Sequence, residues 1–269
     1  MSDLPRRFWH EMTAYDFAEN DTSSWIAVLP VAAIEQHGPH LPVFTDTCIA
    51  EGQISRVLEL LPPDLPATFL PVQAVGKSNE HISSPGTLTQ SWDTVTRAWE
   101  EIGDSVHRAG VRKLVLVTSH GGNVPIIDIV ARELRVKHDM LVTATGWARF
   151  GQPHGVFPPE EFTYGIHGGD IETSIMLYLR PDLVKMDKAE DFRSTQLDFI
   201  EEFKHLRGHG PAQFGWKAQD LNPGGAVGNA AAATSAKGEA SLDHAARGFV
   251  ELLKDIHAFD MARLWTPES

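Results

Sequence analysis

A single cysteine, Cys48, stands in 269 residues, so no internal disulfide framework exists; this usage fits a reducing cytoplasm. Basic residues are few: 23 Lys and Arg against 36 Asp and Glu give a formal net charge of −13. That balance argues against nucleic acid and anionic membranes as partners, since both call for basic patches. No run of about 18 apolar residues occurs, so nothing is expected to span a bilayer. No basic stretch followed by an apolar one opens the chain, so no secretory signal is expected. What remains is ordinary for a soluble protein, 42% hydrophobic and 22% charged, and long enough to bury a large core. Neither an internal repeat nor a linker is visible, which predicts one domain across residues 1–269.

Strand and helix signals alternate. Apolar runs predict strands at Trp25–Ile34, Thr68–Val75, Lys113–Thr118 and Met140–Thr145. Helical spacing predicts helices at Asp46–Leu61, Ser91–Ala109, Asn123–His138, Asp170–Leu179 and Ala236–Ala262, with Pro62-Pro63, Gly110 and Pro181 as stops. Strands separated by such helices imply an α/β fold with a mostly parallel sheet covered on both faces. In such sheets the site lies beyond the carboxyl ends of the strands. Two stretches have little periodicity, Gly151–Gly169 and Gly208–Thr234, and are expected to act as lids or binding loops.

Four clusters of chemistry-bearing residues fall at that rim. The first is Glu35, His37 and Asp46, with His40 between them. If the first strand persists, Glu35 and His37 point to the same side. Charged groups at the end of a buried strand are costly unless paired, and these look like metal ligands. The blander readings are a satisfied carboxylate, a core histidine and, for Asp46, a helix N-cap. The second is Ser119-His120-Gly121-Gly122-Asn123, between a strand and a helix. Ser119 lacks the Gly-x-Ser-x-Gly frame of a strained nucleophile. His120 reads as a metal ligand and Asn123 as a helix cap. Ser78, Gly121 and Gly122 read as substrate-binding positions. The third cluster, His167 to Thr173, offers His167 as a general acid and Glu172 as a further ligand or base; a carboxylate in a first helical turn also simply suits the helix dipole. The fourth, Gly76 to His81, offers Glu80 and His81, with His40 from the first cluster, as groups that orient the ligands. A solvated loop is the bland alternative there. Cys48 reads as a small buried hydrophobe. His138, His205, His209, His244 and His257 read as ordinary surface or helix residues.

The run Leu29-Pro30-Val31 to Glu35-Gln36-His37-Gly38-Pro39-His40-Leu41-Pro42 and Thr45-Asp46 resembles the signature of the creatininase family of metal-dependent amidohydrolases. Later blocks are similar too: Gly76-x-Ser78-x-Glu80-His81 with Pro85-Gly86-Thr87, His120-Gly121-Gly122-Asn123, His167-Gly168 to Glu172-Thr173-Ser174, and Gly225-x-Val227-Gly228. The resemblance covers about Leu29 to Gly238. It implies a three-layer α/β/α sandwich, a homo-oligomer that is often a hexamer, and two divalent ions per chain. Glu35 and His120 would hold one ion, His37 the other, and Asp46 both. Phe44 stands where the signature usually has glycine. Creatininase itself has an aromatic and a metal-binding glutamate where this chain has Gly121 and Gly122. The resemblance therefore leaves Glu172 as the replacement ligand and speaks against creatinine as substrate. The Gly-Gly form occurs in branches acting on formamides, on a mycofactocin precursor peptide and on inososes.

The donor set suits Zn²⁺, Mn²⁺ or Fe²⁺, and ligand type does not choose among them. The leading expectation is hydrolysis of a C–N amide bond in a small cyclic amide or formamide. Cleavage of a C–C bond in a cyclic ketone, and a metal-binding homologue without catalysis, are the alternatives.

Overall fold

In this computed structural model, which describes residues 4–265, four strands form a parallel sheet: β1 (Ile26–Val31), β2 (Ala67–Phe69), β3 (Lys113–Thr118) and β4 (Leu141–Gly146). Their order is β2-β1-β3-β4, with Ile26 opposite both Ala67 and Lys113, and Lys113 opposite Leu141. Every residue of β1 and β3 is buried, as expected of strands covered on both faces. A two-stranded antiparallel ribbon, β5 (Asp191–Phe192) with β6 (Gly228–Asn229), lies apart from this sheet.

The helices are α1 (Ala14–Glu19), α2 (Thr45–Leu60), α3 (Trp92–Arg108), α4 (Val124–His138), α5 (Pro159–Tyr164), α6 (Asp170–Leu179), α7 (Gln196–Glu202), α8 (Ala218–Leu221) and α9 (Ser235–Ala258). The period-two pleat sorts the strand side chains into two cores. Ala27, Leu29, Leu114 and Leu116 face α3 and α4, meeting Trp99, Ile127, Val130 and Leu134. Ile26, Val28, Val115 and Val117 face α2 and α9, meeting Val57, Phe249, Val250 and Leu253. The result is a three-layer α/β/α sandwich.

The boundaries differ from the sequence reading where local chemistry intervenes. The first strand stops at Val31 instead of running to Ile34; Ile34 pairs instead with Leu88 as an isolated antiparallel bridge. Glu35 and His37 therefore follow a turned chain, and the same-side argument from strand periodicity does not apply. The second strand ends at Phe69 because Pro71 has no N–H to donate, and pairing resumes only as the bridge Val31 to Gln73. The closing helix ends at Ala258, not at Ala262. There the Lys113 ammonium, from the start of β3, donates to the carbonyls of Ile256, His257 and Phe259. A cation on terminal carbonyls is a favourable helix end. The two stretches expected to be irregular contain α5 in one, and α8 and β6 in the other.

Candidate metal centre

The carboxyl ends of β1, β2 and β3 and the start of α6 deliver the predicted residues to one buried cluster. Glu35 and His37 arrive after β1, His120 immediately after β3, and Glu172 in the first turn of α6. Asp46 sits in the first turn of α2. It is not that helix's N-cap; Phe44 holds that position, and Asp46 turns its carboxylate into the cluster. Asn123, expected to cap α4, makes no cap bond. Its amide instead donates to the carbonyl of Ala32 (2.9 Å) and accepts from the Lys77 N–H (3.0 Å). That side chain ties the ends of β1 and β3 to the loop after β2.

At the two histidines expected to be ligands, a backbone carbonyl favours one tautomer. The His37 Nδ1–H donates to the Glu35 carbonyl at 3.0 Å, which leaves the Nε2 lone pair for the cluster. The His120 Nε2–H donates to the Lys77 carbonyl at 2.9 Å, leaving Nδ1 3.1 Å from Glu35 Oε1 and 3.7 Å from Asp46 Oδ2. His37 Nε2 lies 3.8 Å from Asp46 Oδ2 and 3.7 Å from Glu172 Oε2. Glu35, Asp46 and His120 thus form one triad of converging donors, and His37, Asp46 and Glu172 a second. Asp46 belongs to both. Glu35, His37 and His167 also converge.

Burial makes this geometry informative. Both Glu35 carboxylate oxygens, Asp46 Oδ2 and His37 Nε2 are buried without a hydrogen-bond partner. Left so, each costs about 1–3 kcal/mol, more for a charged group. Two cations at the triads would satisfy all four atoms, so the residues present fit a two-metal site.

The surroundings tune these groups. Burial pushes the Glu35 carboxyl up, but His120, His81 and His167 outweigh it and hold it well below its usual value. Burial and the neighbouring Glu35 carboxylate push Asp46 well above. Burial lowers His120, yet Glu35, Glu80 and Asp46 carry it well above. Burial lowers His37, and it raises Glu172. His167, buried and beside His37, is lowered to about 4. Its ring is stacked between His37 and His81, with centroids 4.1 and 4.2 Å away. His167 Nε2–H donates to the Gln36 carbonyl at 2.6 Å, and Nδ1 faces Glu35 Oε1 at 3.6 Å. It is a packed ring, not a free side chain on a glycine turn.

The residues expected to orient the ligands lie around this cluster. Glu80 Oε1 lies 3.4 Å from His120 Nε2, His81 Nε2 lies 3.4 Å from Glu35 Oε1, and His40 Nε2 bonds the Thr173 hydroxyl at 2.9 Å. Ser78 does not line the open cavity; it is buried behind His120, its hydroxyl 3.4 Å from Nε2, which removes the reason to give it substrate. A Cβ at Gly122 would overlap Glu80, His120 and the Lys77 carbonyl, so glycine there lets His120 sit down. A Cβ at Gly121 would meet nothing within 4 Å.

Several contributors escaped the sequence reading. Gln36, inside the first motif, donates to the Gly225 carbonyl (2.7 Å) and lies 2.8 Å from His81 Nδ1. Its place between Glu35 and His37 was the available signal. Glu161 accepts from the N–H groups of Asp170 (2.6 Å) and Asn229 (3.0 Å), locking α5 to α6 and β6. Trp216 and His209, the latter read as an ordinary surface residue, form walls of the cavity above the cluster; their long loop gives no periodic signal. That cavity measures about 510 Å³ and includes Glu35, Asp46, His120, His167 and Glu172.

The creatininase (creatinine amidohydrolase) family model matches residues 10–253. A mycofactocin precursor peptide peptidase from Mycobacterium ulcerans is 31% identical over 251 residues, covering 91% of this chain and 88% of the relative. A creatinine amidohydrolase from Pseudomonas putida is 29% identical over 245 residues, covering 86% and 89%. Among solved structures, a creatininase variant described as the Zn-Zn type superposes with a TM-score of 0.74 at 26% identity, over 96% of this chain and 99% of that one. No helix among the described residues is long and apolar enough to cross a membrane. With the signature residues gathered at the sheet's rim and the family model spanning nearly the whole sequence, the chain belongs to the creatininase family of hydrolases acting on C–N bonds.

Proposed function

We propose that the protein is a two-metal amidohydrolase acting on an amide other than creatinine. The observation that carries this is the convergence of four partnerless buried donor atoms, on Glu35, His37 and Asp46, with His120 and Glu172 completing two triads around a shared Asp46. Glu35, Asp46 and His120 would hold one divalent ion, and His37, Asp46 and Glu172 the other, with Glu172 in place of the glutamate absent at Gly122. Zinc, manganese and iron all suit this donor set. Such a pair would polarise a carbonyl and lower the pKa of bound water toward neutral.

The chain's own residues handle the proton. Glu172 lies on the cavity wall, and burial keeps its proton affinity above the carboxylate norm. It is suited to take the attacking water's proton when it is not fully engaged as a ligand. His167 also lines the cavity, and its Nδ1 lone pair is free of a backbone bond. With a pKa near 4 the ring is neutral at pH 7, so it acts as an acid only after first accepting a proton. Where Glu172 is engaged as a ligand, proton transfer from the water to His167, then to the leaving nitrogen, uses His167 in that order. Gly121 and Gly122 border the same space, and their backbone amides are the groups proposed to receive the substrate's carbonyl oxygen.

Substrate identity narrows from Gly121-Gly122. Gly121 presents no side chain to the cavity and Gly122 is packed against Glu80, His120 and the Lys77 carbonyl, so neither position supplies an aromatic or a carboxylate to hold creatinine. The named activities of the relatives, on a precursor peptide and on creatinine, bracket the choice. We further propose one catalytic domain, in a cytoplasmic homo-oligomer, a hexamer by family resemblance. The open cavity and the complete donor set speak against a homologue without catalysis. A substrate panel with metal-reconstituted protein tests the reading: release of amine or formate supports it. Acid released from a cyclic ketone, or tight binding without turnover, overturns it.

A further inference from the structure

A second cavity adjoins the first. It holds about 350 Å³ and runs from the end of β4 to α2, α6 and α9. Ser119, His120, Gly121, Ile166 and Glu172 form a wall common to both cavities. Its lining is largely apolar, with Ile49, Ile171 and Ile175 on one side and Trp147 and Phe162 on the other. Phe162 and Ile166 are exposed large hydrophobic residues, at 47% and 36%.

Four buried polar atoms on its lining residues find no partner in the protein: Gln53 Oε1, Ser119 Oγ, Trp147 Nε1 and Gln152 Oε1. Gln53 and Trp147 are themselves almost completely buried. Buried polar groups are normally satisfied, so four around one space point to an occupant. The set offers acceptors from the two glutamines, a donor from the indole, and either from the serine. Arg149 lines the same space, exposed, and among the described residues its guanidinium forms no ion pair. A few placed polar groups in an apolar wall are the usual makeup of a ligand pocket.

We infer that this side cavity is the subsite for an arm of the substrate. The arm is apolar, carries both a hydrogen-bond donor and an acceptor, and ends in a carboxylate received by Arg149. Gly121, whose missing Cβ leaves open space, is the doorway between the two cavities. The inference rests on the amidohydrolase reading only for what lies at the other end of the arm.

Three probes separate the contributions: N-acetylglycine, N-acetyl-L-phenylalanine and N-acetyl-L-phenylalaninamide. Their binding to metal-loaded protein is measured by calorimetry, and again to the metal-free protein. The aromatic acid is expected to bind about tenfold tighter than its neutral amide, the fold-change of one hydrogen bond to a charged group. Arg149→Met, at an exposed position, is expected to abolish that preference. Gln152→Leu is expected to weaken both aromatic probes and leave N-acetylglycine unchanged. Equal binding of the three probes, no binding of any, or an acid preference that survives Arg149→Met would overturn the subsite and leave the space a hydrated void. Arg149-dependent binding that is the same with and without metal would uphold the subsite and count instead against the metal reading.

Discussion

His167 and His120 lie in one cluster yet have different surroundings. His120 offers Nδ1 to Glu35 and Asp46 with its other nitrogen pinned to a carbonyl, the posture of a ligand. His167 is stacked between two rings and borders the cavity. His167→Asn is expected to keep its metals and lose activity by roughly 10²–10⁴-fold, the usual share of an acid–base group. His120→Ala is expected to lose metal as well. Elemental analysis beside kinetics checks both; a metal-free His167→Asn protein would make His167 a ligand. A pH dependence follows from the same burial. His40 and His167 are each lowered to about 4 and His81 to about 2, by burial first. Below about pH 6.5 the unfolded chain protonates these three histidines while the folded, metal-free protein leaves them neutral. Their contribution to stability is therefore fully present above about pH 6.5 and is lost as pH falls toward 4, opposite in sign to that of His120, which is raised. His40 bonds Thr173 and lies outside the converging donor triads, so His40→Gln is expected to shallow that loss. Thermal melts of the metal-free protein from pH 7 to 4 decide it; an unchanged slope would remove His40 from the account.

At the scale of elements, α6 and α9 are pressed together at Gly238. A Cβ there would overlap the backbone carbonyl of Ser174 and the amide of Ile175. Backbone cannot swing aside as a side chain can, so one helix must shift. Alanine favours a helix over glycine by about 1 kcal/mol, and overpacking typically costs about 1–3 kcal/mol. The overlap wins, and Gly238→Ala is expected to lower the Tm by several degrees; an unchanged or raised Tm would show that the helices yield freely. Because α6 carries Glu172, the same variant is expected to weaken metal binding. The elements themselves were largely legible in the sequence. The parallel strands read as apolar runs because both faces are covered, and α6 was bounded at Asp170 and Leu179 by glycine and proline. Ends set by long-range contacts were not legible. Lys113 caps α9 from 143 residues away, and Ile34 leaves the sheet for Leu88.

For the whole molecule, one rim gathers residues from position 35 to position 172, and motif chemistry located most of them before any geometry. It could not locate Gln36's bond to Gly225, the Glu161 clamp, or the loop that brings Trp216 over the cluster. Those depend on how loops fold across the rim, and local sequence does not encode that. With Gly121 and Gly122 in place of an aromatic and a glutamate, creatinine is expected to be a poor substrate; turnover matching that of a dedicated creatininase would contradict this. The central claim is a pair of metals sharing Asp46, and counting metals tests it most directly. Protein purified without chelator is expected to carry two divalent ions per chain by elemental analysis. Asp46→Ala is expected to lose metal from both positions together with activity. An Asp46→Ala protein that folds, keeps two ions and retains full activity would contradict the account.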